Sequence, residues 1–258
     1  MNIGRRDFLA MSGCALASAA VAAPVALVES VASPRAILFD AFPIFDPRSV
    51  KLAVEHHVPD APPEFFETWR NRIFEYQWLR ALSGHYVDFE TCVAEALDFA
   101  TATLRIELTP SSKQELVGAF SQLPVWDDVD EALAALAASG AKLGFLSNMT
   151  ERMLRANAQR NALADHFDVV LSTDRVRSFK PDPRAYALGD SSLQLAKRDV
   201  LFVAYAGWDV AGAKWFGYPT YWVNRARAPA EFGVIADGES AGLDGLVRFV
   251  QERAHSGV

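Results

Sequence analysis

Several kinds of chemistry are scarce in this chain of 258 residues. It holds two cysteines, Cys14 and Cys92, too few for a disulfide framework or a multi-cysteine metal site. Its histidines, His56, His57, His85, His166 and His255, follow no metal-ligand spacing and read as surface or packing residues. Dense runs of Lys or Arg are missing, and 25 basic against 32 acidic residues leave a net charge of −7. Nucleic acid and anionic membrane surfaces both need a basic footprint, so neither is expected as a partner. There is no Gly-x-Gly-x-x-Gly loop, and Gly207 and Gly212 are too isolated to replace one, so no nicotinamide or flavin cofactor is expected. Past the first thirty or so residues no stretch is long and apolar enough to span a bilayer. What the chain has in quantity is apolar side chains. Hydrophobic residues make up 51% and charged residues 22%, enough to bury a full core in one or two domains.

The N-terminus reads as an address rather than as fold. Arg5-Arg6-Asp7-Phe8-Leu9 precedes an alanine-rich run from Ala10 to about Val28, broken by Pro24, and the whole resembles a twin-arginine export signal. Residues 1–32 are assigned to it, and small-x-small triplets end at Ala22 and at Ala32 as alternative cleavage points. The run is near the length of a membrane anchor, but its Ala, Ser and Gly content and Pro24 argue against one. The mature protein is therefore expected in the periplasm, without stable membrane association. Cleavage would leave Cys92 alone, most simply a small apolar residue on a helix face.

The remainder reads as two interleaved parts. Arg35–Asp40 is a short apolar run ending on an acid, as a buried parallel strand does. The segment 47–124 then looks helical throughout. Phe66, Trp69, Ile73, Tyr76 and Leu79 recur at steps of three or four within 64–82, and 89–100 and 112–120 repeat the pattern. After Val125 the rhythm alternates. Helices are expected at 128–138, 151–159 and 184–195, with strands at 142–146, 168–171, 200–204 and 219–223. Gly140 suits a left-handed cap, Asn148 or Thr150 an N-cap, and Asp182-Pro183 a helix start. Alternation of this kind predicts an α/β fold, a doubly wound, Rossmann-like parallel sheet built from 33–46 and 125–258, with 47–124 as an inserted all-helical cap domain.

In such sheets ligands bind beyond the carboxyl ends of the strands. Asp40, Ser147-Asn148, Lys180 and Asp209 lie just past those ends and are expected to converge. Taken singly, a strand-end Asp or Asn is more often a turn or cap residue. A polar residue of this kind at the end of four separate strands favours a site.

The residues at these positions resemble the haloacid dehalogenase superfamily, and within it the type II branch of (S)-2-haloacid dehalogenases. The resemblance is carried by Leu38-Phe-Asp40-Ala-Phe-Pro-Ile-Phe-Asp46, Trp69-Arg70, Glu75-Tyr-Gln-Trp-Leu-Arg80 and Phe145-Leu-Ser-Asn148. It continues through Phe179-Lys-Pro-Asp-Pro-Arg-Ala-Tyr186, Leu201-Phe-Val, Trp208-Asp-Val-Ala-Gly-Ala-Lys-Trp-Phe-Gly217 and Asn224-Arg225, and spans about Arg35 to Phe249. Phosphatases of this fold carry a second Asp two residues after the nucleophile and further acids for Mg²⁺. Here those positions hold Phe42 and Tyr205, so no metal is expected.

The resemblance implies a small 2-haloalkanoic acid as substrate. Asp40 would attack the carbon bearing the halogen and form an ester, and water would then release an (R)-2-hydroxy acid. Lys180 and Asp209 would organise the second step, and Arg70 would bind the leaving halide or the substrate carboxylate. Phe42, Ser147, Asn148, Tyr186 and Trp208 would hold the substrate and line the cavity. A homodimer through the aromatic-rich cap helices is a further expectation by family analogy.

The chain also departs from the family pattern. The turn after the nucleophile is one residue shorter, lacks its usual Thr, and contains Pro43, which has no N–H. Ala204-Tyr205-Ala206 replaces Ser-Ser-Asn. Either Tyr205 substitutes for the missing groups, or the second half-reaction is slow, or the substrate differs. The alternatives kept open are another hydrolase of the superfamily, such as an Mg-dependent phosphatase, and a catalytically weakened protein that binds a small carboxylate.

Overall fold

The computed structural model describes residues 33–256. The expected export signal, with Cys14, lies outside the described residues. Every residue of β1 (Ala36–Phe39) is buried, so the strand is apolar on both faces, as a central parallel strand must be. It pairs with β2 (Lys142–Ser147) on one side and β4 (Val200–Ala204) on the other. With β3 (Val169–Ser172), β5 (Thr220–Val223) and β6 (Gly238–Ser240) they form a six-stranded parallel sheet of order β3-β2-β1-β4-β5-β6. The connection from β3 returns across β1 to start β4, so the strand order reverses beside β1, where open α/β sheets place their ligands. The register sets Phe39 level with Phe145 and Val203, which brings the carboxyl ends of β1, β2 and β4 to one edge.

Between β1 and β2 the chain is helical, as expected. α1 (Arg48–His57), α2 (Phe65–Ser83), α3 (Phe89–Leu104) and α4 (Pro110–Gly118) follow in order, and a bridge between Phe45 and Val125 closes the base of the segment. Local chemistry explains the helix ends. Asp88 accepts from the Thr91 N–H, Thr109 accepts from the Ser112 N–H ahead of Pro110, and Gly84 stops α2 at φ 72°. The packing of α2 differs from the expected stripe. Phe65, Trp69, Ile73 and Gln77 are its buried residues, whereas Leu79 is 62% exposed. The reason is that α2 packs on α3 along one side and faces a cavity along another, so burial follows a four-residue row. Trp69 anchors that row, with its indole N–H on the Val93 carbonyl at 2.9 Å and its ring edge-on to Phe120. Cys92 is buried in α3, and burial pushes its thiol up to about 12, in keeping with an inert apolar role.

In the α/β part, α5 (Val129–Ala137), α6 (Glu151–Arg160) and α7 (Pro183–Leu193) lie close to their expected positions. Thr150 caps α6, Asp182 caps α7, and Gly140 takes φ 81°. The sequence reading missed α8 (Gly207–Phe216), α9 (Leu243–Ser256) and β6. Asn157 of α6 is fully buried and ties the helical segment back to the sheet. Its amide donates to the Phe120 carbonyl and accepts from the Leu123 N–H. Among the described residues no helix is long and apolar enough to cross a membrane.

Candidate active site

Asp40 is the first residue past β1, and its backbone N–H still donates to Val203 on β4 at 2.9 Å. The carboxylate therefore leaves the central strand at a fixed angle. Its Oδ1 accepts from Lys180 Nζ at 2.9 Å and from Ser147 Oγ at 3.3 Å, and its Oδ2 accepts from the Phe42 N–H at 3.3 Å. Lys180 Nζ also donates to Asp209 Oδ2 at 2.6 Å, and Tyr186 donates to Asp209 Oδ1 at 2.6 Å. Two strand-end carboxylates thus share one ammonium, with Ser147 joined to the first of them.

The electrostatics follow from burial and from this geometry. Burial opposes the charge on Lys180, but the carboxylates of Asp209 and Asp40 outweigh it and hold the ammonium above its usual pKa. Burial pushes Asp209 up to about 6, with Asp40 adding to the rise and Lys180 working against it. Burial, reinforced by Asp209, raises the Tyr186 phenol well above its usual range, so Tyr186 stays a neutral donor.

Above the carboxylates lies a cavity of about 570 Å³ between the helical segment and the sheet edge. Asp40, Phe42, Arg70, Ser147, Asn148, Trp208 and Asp209 all line it. Tyr186 is a correction. It is fully buried behind Asp209, spends its hydroxyl on that carboxylate, and does not reach the cavity wall. Lys180, likewise buried, acts from beneath Asp40. Arg70 stands at the cavity, half exposed and paired with Glu67 on its own helix, and makes no contact with Asp40. Tyr205 lines the cavity edge-on to Phe42, and burial, reinforced by Asp46, raises its phenol above the usual value. The donors on the Asp40 carboxylate are Lys180, Ser147 and the Phe42 N–H, and Tyr205 is not among them.

The shortened turn after Asp40 is nonetheless well held. Trp126 donates its indole N–H to the Phe42 carbonyl at 2.9 Å, and Arg225, paired with Asp128, donates to the Pro43 carbonyl at 3.1 Å. Despite Pro43, an amide still reaches the nucleophile from Phe42.

Sequence reasoning missed Gln77, Arg48 and Glu231 at the cavity. Gln77 is the most informative. Fully buried in α2, it accepts from Asn148 Nδ2 at 2.7 Å, while Asn148 Oδ1 accepts from the Lys180 backbone N–H at 2.8 Å. A four-residue step from Ile73 could have marked Gln77 as inward-facing, since Trp69 and Ile73 precede it on the same row. Arg48 sits in the first turn of α1 on Asp46, and Glu231 lies against Gly207, where α8 begins without a side-chain cap. Among the described residues no cluster of His, Cys, Asp and Glu is arranged to hold a metal ion.

Comparison with known proteins gives the same picture. A family model described as haloacid dehalogenase-like hydrolase matches residues 48–217. An (S)-2-haloacid dehalogenase of Xanthobacter autotrophicus is 38% identical over 81% of this chain and 82% of its own length. Another from Pseudomonas sp. (strain YL) is 34% identical over 85% of this chain and 96% of its own. A solved structure of the Xanthobacter autotrophicus L-2-haloacid dehalogenase, with chloropropionic acid covalently bound, superimposes with a TM-score of 0.77 at 34% identity, covering 84% of this chain and 98% of that one. From its sheet order, its convergent strand ends and these relatives alike, the chain belongs to the haloacid dehalogenase-like hydrolases, in the 2-haloacid dehalogenase branch.

Proposed function

We propose that this protein hydrolyses (S)-2-haloacids to (R)-2-hydroxy acids through an ester on Asp40. The observation that carries the reading is the asymmetric seating of that carboxylate. Oδ1 is held by Lys180 and Ser147, whereas Oδ2 receives a single long N–H from Phe42. Oδ2 is thus the oxygen with electron pairs to spare, and it attacks the substrate carbon as halide leaves. Phe42, two residues on, cannot donate a proton to a leaving alkoxide, but halide needs none.

In the second step water adds to the Asp40 carboxyl carbon, and the charge that develops falls on Oδ1. Lys180 Nζ and Ser147 Oγ already point at that atom, as preorganised donors should. The tetrahedral species collapses by breaking the bond from the carboxyl carbon to Oδ2; one proton of the attacking water ends on Oδ2, which departs as the product hydroxyl, and the other is lost to solvent as Asp40 returns to its carboxylate. Asp209 holds Lys180 in place, and Tyr186 holds Asp209. Arg70 is the cation at the cavity assigned to the halide or the substrate carboxylate. The covalently bound chloropropionic acid in the Xanthobacter relative supports an ester route.

Three further parts belong to the same reading. Residues 47–124 act as a cap over the site, Arg5-Arg6 directs twin-arginine export to the periplasm, and a second copy of the chain meets the cap at α2, where Leu79 and Leu82 remain exposed.

The test of the chemistry is a single turnover with enzyme in excess in heavy-oxygen water. The hydroxy acid should come off mostly unlabelled, with the label on Asp40. Label appearing directly in that first product, with Asp40 unlabelled, would show water displacing the halide and remove Asp40 as nucleophile.

A further inference from the structure

We infer that the substrate carries a large apolar group on the halogen-bearing carbon, of the size of a butyl chain or a phenylmethyl group; this inference rests on the dehalogenase reading above. Its basis is a mismatch of size. The cavity over Asp40, including its solvent-facing mouth, has a volume of about 570 Å³, within the range of roughly 300–1,000 Å³ seen for ligand pockets. Water occupies about 30 Å³ per molecule, and a three-carbon haloacid takes the room of roughly five waters. Such an acid would leave most of the cavity filled with water lying against aromatic rings.

The mouth of the cavity opens to solvent past Arg48, Arg70 and Glu231, but its inner part is held between fixed walls. The hydrogen bond from Asn148 to Gln77 joins the sheet edge to α2 at 2.7 Å, and both residues are buried. Trp208, in the first turn of α8, meets Phe74 and Trp78 of α2 edge-on at centroid distances of 5.9 and 5.7 Å. α2 therefore already touches the opposite wall on both a polar and an aromatic contact. The space is what remains with these contacts made.

The chemistry of the wall says what fills it. The reacting carbon bears a halogen, a carboxylate, a hydrogen and one further group. The halogen must lie opposite Asp40 Oδ2, and the carboxylate needs a charged or hydrogen-bonding partner. Only the fourth substituent is free to meet Phe66, Ile73, Phe74 and Trp78 of α2, which supply the apolar face. Each methylene moved from water onto such a surface favours the bound transition state, and a hydrophobic pocket discriminates about 10-fold or more per methylene at its best.

The experiment is halide release by the full chain from (S)-2-bromopropionate, (S)-2-bromobutanoate, (S)-2-bromohexanoate and (S)-2-bromo-3-phenylpropionate, compared by kcat/KM. We expect a rise of about 10-fold or more from propionate to hexanoate, and the phenyl compound at or above hexanoate. A flat or falling series, with the propionate turned over, would overturn the inference and leave the dehalogenase reading standing. Halide from no member of the series would overturn both.

Discussion

Asp209 and Asp40 share one ammonium, but burial treats them differently, and that difference should be visible in the pH dependence. Asp209, pushed up to about 6, is an anion above that pH and holds Lys180 toward Asp40. As pH falls through about 6 it takes up a proton and the grip weakens. Turnover should therefore drop on the acid side with a midpoint near 6, and a rate constant unchanged down to pH 4.5 would contradict this. The effect on stability has the opposite sign. The folded protein binds this proton more readily than the unfolded chain, so the contribution of Asp209 favours folding below about pH 4 and is lost as pH rises through about 6. A second prediction separates two hydroxyls. Ser147→Ala removes a donor from Oδ1 and should lower kcat by about 10²–10³-fold, whereas Tyr205→Phe, which removes no hydrogen bond from the Asp40 carboxylate, should cost less than about threefold. At this scale the sequence was most legible where chemistry coincides with a strand end, as at Asp40, Ser147, Asn148, Lys180 and Asp209. It failed where one polar residue serves another. Tyr186 looked like cavity lining and instead backs Asp209, and Gln77, quoted only within the stretch that carries the resemblance, was given no role of its own.

The elements were legible to the extent that periodicity governed them. β1, β2 and β4 are apolar on both faces and bounded by turn residues, so each was found within two residues of its ends. β6 is three residues, Gly238-Glu239-Ser240, with no apolar pattern at all. It exists because β5 offers an edge and because Phe249 of α9 packs closely over Gly238. α8 begins with Gly207 and no capping side chain, so it carried no start signal. α2 was found as a helix but turned slightly wrong, because a helix with a cavity on one side does not bury its whole apolar stripe. Trp69 is the pin of that helix, fully buried with its N–H spent on α3. Trp69→Ala should lower unfolding free energy by about 3–5 kcal/mol in urea denaturation. A loss below about 1 kcal/mol would mean that α2 is held from elsewhere.

For the whole molecule, the segment outside the described residues and the α/β body make separate claims. If Arg5 and Arg6 are read by the twin-arginine route, replacing both by Lys should retain the protein in the cytoplasm while far-ultraviolet circular dichroism stays unchanged. Undiminished periplasmic protein would remove the export reading and leave the enzyme reading intact. The placement of β1 has a consequence for biosynthesis. Its two partners begin at Lys142 and Val200, so the strand that ends in the nucleophile is made first and waits for both neighbours. At roughly 5–20 residues per second on the ribosome, about 8–30 s pass between the synthesis of β1 and that of β4. Until β2 emerges, Ala36-Ile37-Leu38-Phe39 is an unpaired apolar segment on a nascent chain, and until β4 emerges one of its edges stays open, while the helices that follow it can already coil locally. The four residues that aim the nucleophile are thus also an apolar segment that a chaperone would shield during translation.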